Sequence, residues 1–151
     1  MKKETLKDII FNEDTFLLLD MTNYTKEELN EYFDENNNFP LLYAIMNHQS
    51  RYFLFNDEIL QQLDLNLTDK EGRTALMMAA AFGLDNEVKI MIANGADWKM
   101  KDNKGEIALD YAKRHKKRFE DMSKEDEEFW VGRSPSDIVG IFENPELYTK
   151  K

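Results

Sequence analysis

Within residues 69–112, small and apolar residues recur at helical spacing in successive segments. Polar, glycine-containing turns separate these segments. Thr74 is placed to cap the first helix, because a threonine hydroxyl can accept a hydrogen bond from an unpaired helix N–H. The stretch ALMMAAAF continues this helix, its alanines allow neighbouring helices to approach closely, and Gly83 ends it. The next stretch, LDNEVKIMIAN, predicts a second helix that ends at Gly95. Its apolar face is formed by Val88, Met91 and Ile92.

The polar residues that follow, GADWKMKDNKG, suit an extended hairpin, and the pattern then begins again 33 residues after its first start. Five positions match at this offset: Asp69, Gly72, Ala75, Leu76 and Ala79 correspond to Asp102, Gly105, Ala108, Leu109 and Ala112. A fixed period of this size is typical of a stacked repeat protein. Such stacks usually bind macromolecules through an extended surface and seldom form a catalytic pocket.

A degenerate copy of the unit precedes it. Asp34 lies 35 residues before Asp69, and the run FPLLYA has the same offset from TALMMA. The second helix of this copy is predicted over residues 53–60. Its inward residues are expected to be Phe55, Ile59 and Leu60.

Two further helices are predicted before this copy, over residues 4–20 and 25–33. Thr25 and Glu28 have the spacing of a capping box, in which each side chain accepts a hydrogen bond from the backbone of the other residue. We expect these helices to cover the exposed end of the stack.

The last unit is modified after its first helix. Residues 113–133 form a charged stretch, which we interpret as a prolonged helix followed by an insertion. The missing second helix is expected to begin only afterwards, with Ser134 as N-cap and Pro135 at the first helical position.

Together these residues resemble the ankyrin repeat. The family pattern has, in order, a loop aspartate and glycine, a Thr-Pro-Leu-His helix start, paired alanines, a glycine, an apolar helix and Gly-Ala-Asp. The corresponding residues here are Asp69, Gly72, Thr74-Ala75-Leu76-Met77, Ala79-Ala80, Gly83, Val88 to Ile92 and Gly95-Ala96-Asp97. Ala75 replaces the usual proline. Met77 replaces the usual histidine, which the family uses to hydrogen-bond neighbouring loops. The resemblance implies an all-α fold, an ankyrin-repeat stack of about three repeats with an N-terminal helical cap and a modified C-terminal repeat.

The resemblance also implies how one domain is divided along the chain. The expected parts are an N-terminal cap (1–33), a degenerate repeat (34–68), a full repeat (69–101), a C-terminal repeat (102–144) that contains the charged insertion (113–133), and a tail (145–151).

The composition narrows the range of partners. The formal net charge of −10 in 151 residues would repel a phosphate backbone or an anionic membrane and attract a basic protein surface. Cysteine is absent, which excludes disulfides and thiolate chemistry and fits a reducing compartment. The sequence shows neither the apolar stretch of a signal peptide nor the roughly 20 apolar residues of a membrane span. We therefore expect a cytoplasmic protein that is a monomer when unbound.

The candidate chemistry is sparse. The acidic residues are spread along turns and exposed helix faces, so they do not predict the paired, perturbed groups of an enzyme active site. His48 and His115 lack the spacing of metal ligands, and no metal or cofactor is expected. Residues 113–118 form one dense basic run, and acidic residues follow it closely. Local charge compensation along a solvated helix is the favoured interpretation, and a nuclear-import signal or nucleic-acid patch stays open.

The resemblance implies that the hairpin tips and the first helices line a concave groove that contacts a protein partner. The residues expected to face that partner are Lys70, Glu71, Arg73, Ala81, Phe82, Lys101, Asn103, Lys104, Glu106 and Arg114. We expect a non-catalytic protein–protein interaction module that binds and regulates or neutralises one partner, as immunity and antitoxin proteins do. Two alternatives stay open: an accessory factor that delivers a cofactor such as haem, and an injected effector that uses the basic run for import.

Overall fold

The computed structural model describes residues 24–32, 35–46, 54, 57–125 and 138–149, without the side chains of residues 119 and 122–125. These residues form seven α-helices and one 3₁₀ turn, and the described part of the chain contains no strand. The helices are α1 (Lys26–Leu29), α2 (Pro40–Met46), α3 (Asp57–Leu60), α4 (Ala75–Ala81), α5 (Asp85–Ala93), α6 (Ala108–Glu125) and α7 (Ile138–Glu143), and the 3₁₀ turn is Pro145–Tyr148. The predicted all-α fold is confirmed. The chain divides into two compact units, Met1–Ala75 and Leu76–Lys151.

In the first unit, α1 has the predicted capping box. The backbone N–H of Glu28 donates to Thr25 Oγ1 at 3.2 Å, and the N–H of Thr25 donates to Glu28 Oε2 at 2.8 Å. The helix ends at Leu29, earlier than the predicted end at residue 33. The reason is tertiary: the Asn30 side chain donates to the carbonyl of Gln62 at 2.8 Å and accepts from the N–H of Asp64 at 2.7 Å.

The helix α2 contributes several residues to the described core of this unit. Pro40 occupies its first position, where a missing N–H costs nothing. The side chains of Leu41, Leu42, Ala44 and Ile45 are at most 2% exposed. In α3, Ile59 and Leu60 are buried as predicted, whereas Phe55 lies outside the described residues.

In the second unit, α5 presents the predicted apolar face. Val88, Met91 and Ile92 are at most 1% exposed. Met77 and Met78 of α4 are also buried, so these methionines fill the core and do not form the adaptable binding surface that a methionine cluster can offer.

The helix α6 is followed along the described chain by α7, which packs against both α6 and α5. Three residues of α7 at helical spacing are buried: Ile138, Ile141 and Phe142. The 3₁₀ turn packs against α5, where Lys89 Nζ lies 5.5 Å from the centre of the Tyr148 ring. Ser134 and Pro135, predicted to begin this helix, lie outside the described residues.

The charged stretch 113–133 begins as helix, since α6 continues without interruption to Glu125, and the rest of it lies outside the described residues. Of the helices in the described part of the chain, none combines the length and the apolar character that crossing a bilayer requires.

Candidate interaction site: two aspartate turns and a long helix

A buried carboxylate organises the turn before α4. Oδ1 of Asp69, a residue that is 6% exposed, accepts hydrogen bonds from the N–H groups of Glu71 at 3.0 Å and Arg73 at 2.9 Å. The backbones of Asp69 and Arg73 are also joined by an N–H to carbonyl bond of 3.0 Å. Gly72 has φ of +78°, a left-handed conformation that costs a residue with a side chain about 1–2 kcal/mol. We call residues 69–73 the Asp69 turn.

The same turn is built again before α6, at residues 102–106, which we call the Asp102 turn. Asp102 Oδ1 accepts from the N–H groups of Lys104 and Glu106, both at 2.9 Å. The N–H of Asp102 donates to the Glu106 carbonyl at 2.8 Å, and Gly105 has φ of +77°. The repeat in sequence is therefore also a repeat in hydrogen bonding.

The two turns differ in what satisfies the second carboxylate oxygen. In the Asp69 turn, Arg73 Nε donates to Asp69 Oδ2 at 2.9 Å and also lies 3.5 Å from Glu71 Oε2. In the Asp102 turn the equivalent donor is the hydroxyl of Tyr111, 2.5 Å from Asp102 Oδ2. The Asp69 turn is thus closed by its own residues, whereas the Asp102 turn is anchored to α6.

These hydrogen bonds set the charge state of Asp102. Burial raises the pKa of its carboxyl, but the bond from Tyr111, the N–H groups of Glu106 and Lys104, and the charge of Lys104 outweigh burial. The pKa of Asp102 is therefore held below its ordinary value of 3.8, and the group is ionised at neutral pH.

A second contact ties the Asp102 turn to α6. Arg114 forms an ion pair with Glu106, and this pairing raises the pKa of the Arg114 guanidinium. The same guanidinium lies 4.6 Å from the centre of the Tyr111 ring, within cation–π range. Tyr111 therefore contacts Asp102 through its hydroxyl and Arg114 through its ring. Sequence reasoning missed this residue, whose one sequence signal is its place in the first turn of α6.

Most of the predicted site residues carry exposed side chains. Lys70 and Glu71 are exposed at the tip of the Asp69 turn, and Arg73 is half-buried. In the second unit, Lys101, Asn103, Lys104 and Arg114 are exposed, and Glu106 is half-buried. Within each unit, ion pairs bring together Arg73 with Glu71 and Arg114 with Glu106.

Ala81 and Phe82 lie at the end of α4. Ala81 is half-buried, and Phe82 is 37% exposed although it is a large apolar residue. The next residue, Gly83, has φ of +68° and lies against the His115 imidazole: a Cβ built on Gly83 would be 2.3 Å from Nε2. His115 is thus half-buried against a turn, and His48 lies outside the described residues. In the part of the chain that is described, no three His, Cys, Asp or Glu side chains are grouped to hold a metal ion.

Comparison with known proteins identifies the repeat. Residues 59–112 match the family model described as ankyrin repeats (many copies). A comparison with curated proteins found no match.

Among solved structures, the chain is similar to one in the structure of the Bd0816 predatory endopeptidase from Bdellovibrio bacteriovorus in complex with immunity protein Bd3460. The sequence identity is 22% and the TM-score 0.53, and the match covers 77% of the present chain and 59% of the other. At this identity the similarity shows the fold alone. Ankyrin repeats imply protein–protein interaction, and the family is typically non-catalytic. Residues 59–112 of this chain belong to the ankyrin repeat family.

Proposed function

We propose that this chain is a non-catalytic interaction module that binds one protein partner through its ankyrin surface and regulates or neutralises it, as an immunity protein does. The observation that carries the proposal is the duplicated aspartate turn, whose rigid backbone presents exposed charged side chains at its tip. The similar fold in a structure that contains an immunity protein and an endopeptidase supports this kind of role.

The mechanism rests on preorganisation. Each buried aspartate satisfies two backbone N–H groups of its own turn, so the turn has its binding conformation before a partner arrives. A surface that is already ordered loses less conformational entropy on association than a mobile loop does. Arg73 and Glu106 position the turns through their ion pairs, and the exposed tips make the contacts.

The contacts proposed for the first unit are Lys70, Glu71 and Arg73. Those proposed for the second unit are Ala81, Phe82, Lys101, Asn103, Lys104, Glu106 and Arg114. Phe82 is the proposed apolar anchor, because exposed aromatic side chains contribute a large share of binding energy in many interfaces. The net charge of −10 favours encounter with a basic surface, and we propose a monomer in the absence of the partner.

The proposal is tested by affinity capture from the native lysate followed by measurement of Kd with the captured protein. We expect Phe82→Ala to weaken binding by about tenfold or more, equivalent to about 1.4 kcal/mol. Leu147→Ala is the matched control, because Leu147 is a large apolar residue that is 78% exposed in the 3₁₀ turn and is not a proposed contact. Lys104→Glu, at the tip of the Asp102 turn, should also weaken binding.

Three results would count against the proposal. The first is that no protein is captured in a stoichiometric amount. The second is that Phe82→Ala, Lys104→Glu and the unchanged chain bind the partner with equal Kd values. The third is that the purified chain turns over a substrate.

A further inference from the structure

A Schellman motif ends α5, and Asn94 and Gly95 lie within it. The N–H of Ala96 donates to the Met91 carbonyl at 2.9 Å, and the N–H of Gly95 donates to the Ile92 carbonyl at 3.3 Å. Gly95 has φ of +98°, the left-handed conformation that this motif uses. The two residues that follow Asn94 therefore satisfy carbonyls at the end of the helix.

The Asn94 side chain is held in the same motif. Its Nδ2 donates to the Ile90 carbonyl at 2.7 Å, and this carbonyl also accepts the Asn94 N–H at 3.1 Å. Because the bond reaches four residues back along the chain, the side-chain amide points toward the N-terminus of α5 and away from Gly95. Asn94 is half-buried and Gly95 is exposed.

Asn94-Gly95 is the one Asn-Gly pair in the sequence, and this dipeptide has a specific reactivity. The backbone nitrogen of the second residue can attack Cγ of the asparagine, lose its proton and expel the side-chain nitrogen as ammonia, which leaves a five-membered succinimide ring. Water then opens the ring at either carbonyl and gives aspartate or isoaspartate. Glycine permits the attack readily, because it has no Cβ beside the attacking nitrogen.

We propose that Asn94 is a site of spontaneous deamidation and that the C-terminal cap of α5 controls it. In the folded chain both reacting groups are engaged elsewhere, the Gly95 N–H with the Ile92 carbonyl and the Asn94 amide with the Ile90 carbonyl. Ring closure requires both hydrogen bonds to break and the amide to rotate toward Gly95. The reaction therefore proceeds from an open cap, at a rate proportional to the population of that open state. This inference does not depend on the proposed function.

The products do not restore the cap. An aspartate at position 94 has no side-chain N–H to donate to the Ile90 carbonyl. It also places a negative charge at the C-terminal end of α5, where the helix dipole disfavours anions. Isoaspartate adds a methylene group to the main chain and displaces Gly95 from its place in the motif. Both products should therefore weaken the end of α5.

The test compares deamidation of the unchanged chain in buffer and in guanidinium chloride, at the same slightly alkaline pH and the same temperature. Tandem mass spectrometry of tryptic fragments follows the conversion of each asparagine to aspartate and isoaspartate. We expect Asn94 to convert about tenfold or more slowly in buffer than in denaturant, because the cap of the folded chain is open for only a small fraction of the time.

Two controls isolate the Asn-Gly chemistry in denaturant, where the fold of a variant does not matter. Gly95→Ala keeps Asn94 and adds a Cβ to the next residue, so it should slow the conversion of Asn94. Asn30 is the internal control, because its amide also donates to the carbonyl four residues back, that of Lys26, at 2.8 Å, but Glu31 follows it. Asn30 should convert more slowly than Asn94.

Three results overturn the proposal. The first is that Asn94 converts as fast in buffer as in denaturant. The second is that Asn94 converts in neither. The third is that Asn94 of the Gly95→Ala variant, or Asn30, reacts in denaturant as fast as Asn94 of the unchanged chain.

The effect of the product on the cap is measured with Asn94→Asp and Asn94→Ala, which lose the same amide hydrogen bond and differ in charge. We expect the urea unfolding midpoint to fall for both variants and to fall further for Asn94→Asp. An Asn94→Asp midpoint equal to that of the unchanged chain would contradict the role assigned to the Asn94 amide.

Discussion

Asp69 and Asp102 show how one buried carboxylate determines the shape of a turn. Each accepts two backbone N–H groups through Oδ1, and a glycine with positive φ completes the reversal of the chain. Their second oxygens differ, because Arg73 serves one turn and Tyr111 of α6 serves the other. The side chain that completes a turn can therefore change while the backbone conformation stays the same.

The substitution Asp102→Asn tests the charge of this carboxylate. It keeps one acceptor oxygen and removes the charge, and it should lower the free energy of unfolding by about 1–3 kcal/mol at neutral pH. Because the pKa of Asp102 is lowered on folding, its contribution is fully present above the ordinary value of 3.8 and is lost as pH falls through the lower folded-state pKa. Urea unfolding at several pH values should show the difference between the two proteins shrinking in acid. A difference that is constant or grows in acid would contradict the assignment.

The close approach of His115 to Gly83 leads to a second prediction. Gly83→Ala places a methyl group 2.3 Å from His115 Nε2 in a left-handed conformation, whereas Gly105→Ala meets no atom within 4 Å at nearly the same φ. We expect Gly105→Ala to cost about 1–2 kcal/mol for the backbone alone. We expect Gly83→Ala to cost about 1–3 kcal/mol more, because the methyl group overpacks the contact.

Adding His115→Ala to Gly83→Ala should recover most of this extra cost in urea unfolding. If Gly83→Ala and Gly105→Ala lowered the free energy of unfolding equally, the imidazole would be moving aside without an energetic penalty.

At the level of helices, α2, α4 and α6 begin at corresponding positions with different residues before them. Phe39 precedes α2, Thr74 precedes α4 and Ile107 precedes α6. The N–H of Ile107 donates to Asp110 Oδ2 at 2.9 Å, which is one half of a capping box. Ile107 has no side-chain oxygen to supply the other half, and the N–H of Asp110 donates instead to the Ile107 carbonyl at 3.0 Å.

The substitution Ile107→Thr should complete that box. The new hydroxyl can accept from the N–H of Asp110 in place of the Ile107 carbonyl, and we expect up to about 1 kcal/mol of added stability relative to Ile107→Val. Valine is the control because it has the shape of threonine without the oxygen, so both variants lose the same apolar volume. Thermal unfolding of the pair measures the difference, and a threonine variant no more stable than the valine variant would refute the capping argument.

The pattern of apolar residues was sufficient to predict the two helices after the Asp69 turn and their inward face. The spacing of Thr25 and Glu28 was sufficient to predict the capping box of α1, since these two residues interact within a single turn of helix. The predicted end of this helix at residue 33 was wrong, because the Asn30 side chain bonds with backbone groups 32 and 34 residues further along the chain. The anchoring role of Tyr111 was not predicted, because it depends on a hydroxyl position that only the packed turn defines.

At the scale of the whole molecule, the composition alone defines the net charge. A chain with a net charge of −10 repels itself when folded, and added salt screens that repulsion. Within this negative chain, one dense run of positive charge lies in α6, formed by Lys113, Arg114, Lys116, Lys117 and Arg118.

Sodium chloride should accordingly raise Tm by about 2–5 °C between low and moderate concentration. The variant K116Q/K117Q loses two positive charges, which changes the formal charge from −10 to −12, and it should show the larger rise. Differential scanning calorimetry at matched protein concentration measures both. A Tm that falls with salt, or a smaller rise in the variant, would show that self-repulsion does not limit stability.

The sequence by itself determined the repeat period, the helix pairs, the positions of the turns and the absence of thiol chemistry. These features depend on residue identity and on interactions between close neighbours, such as a glycine that accepts positive φ or an aspartate that bonds its own turn. Only the tertiary structure decided that Asn30 ends α1, that Tyr111 and Arg114 anchor the Asp102 turn to α6, and that His115 covers Gly83. Those contacts join residues separated along the chain, and their geometry is defined only once the helices have packed.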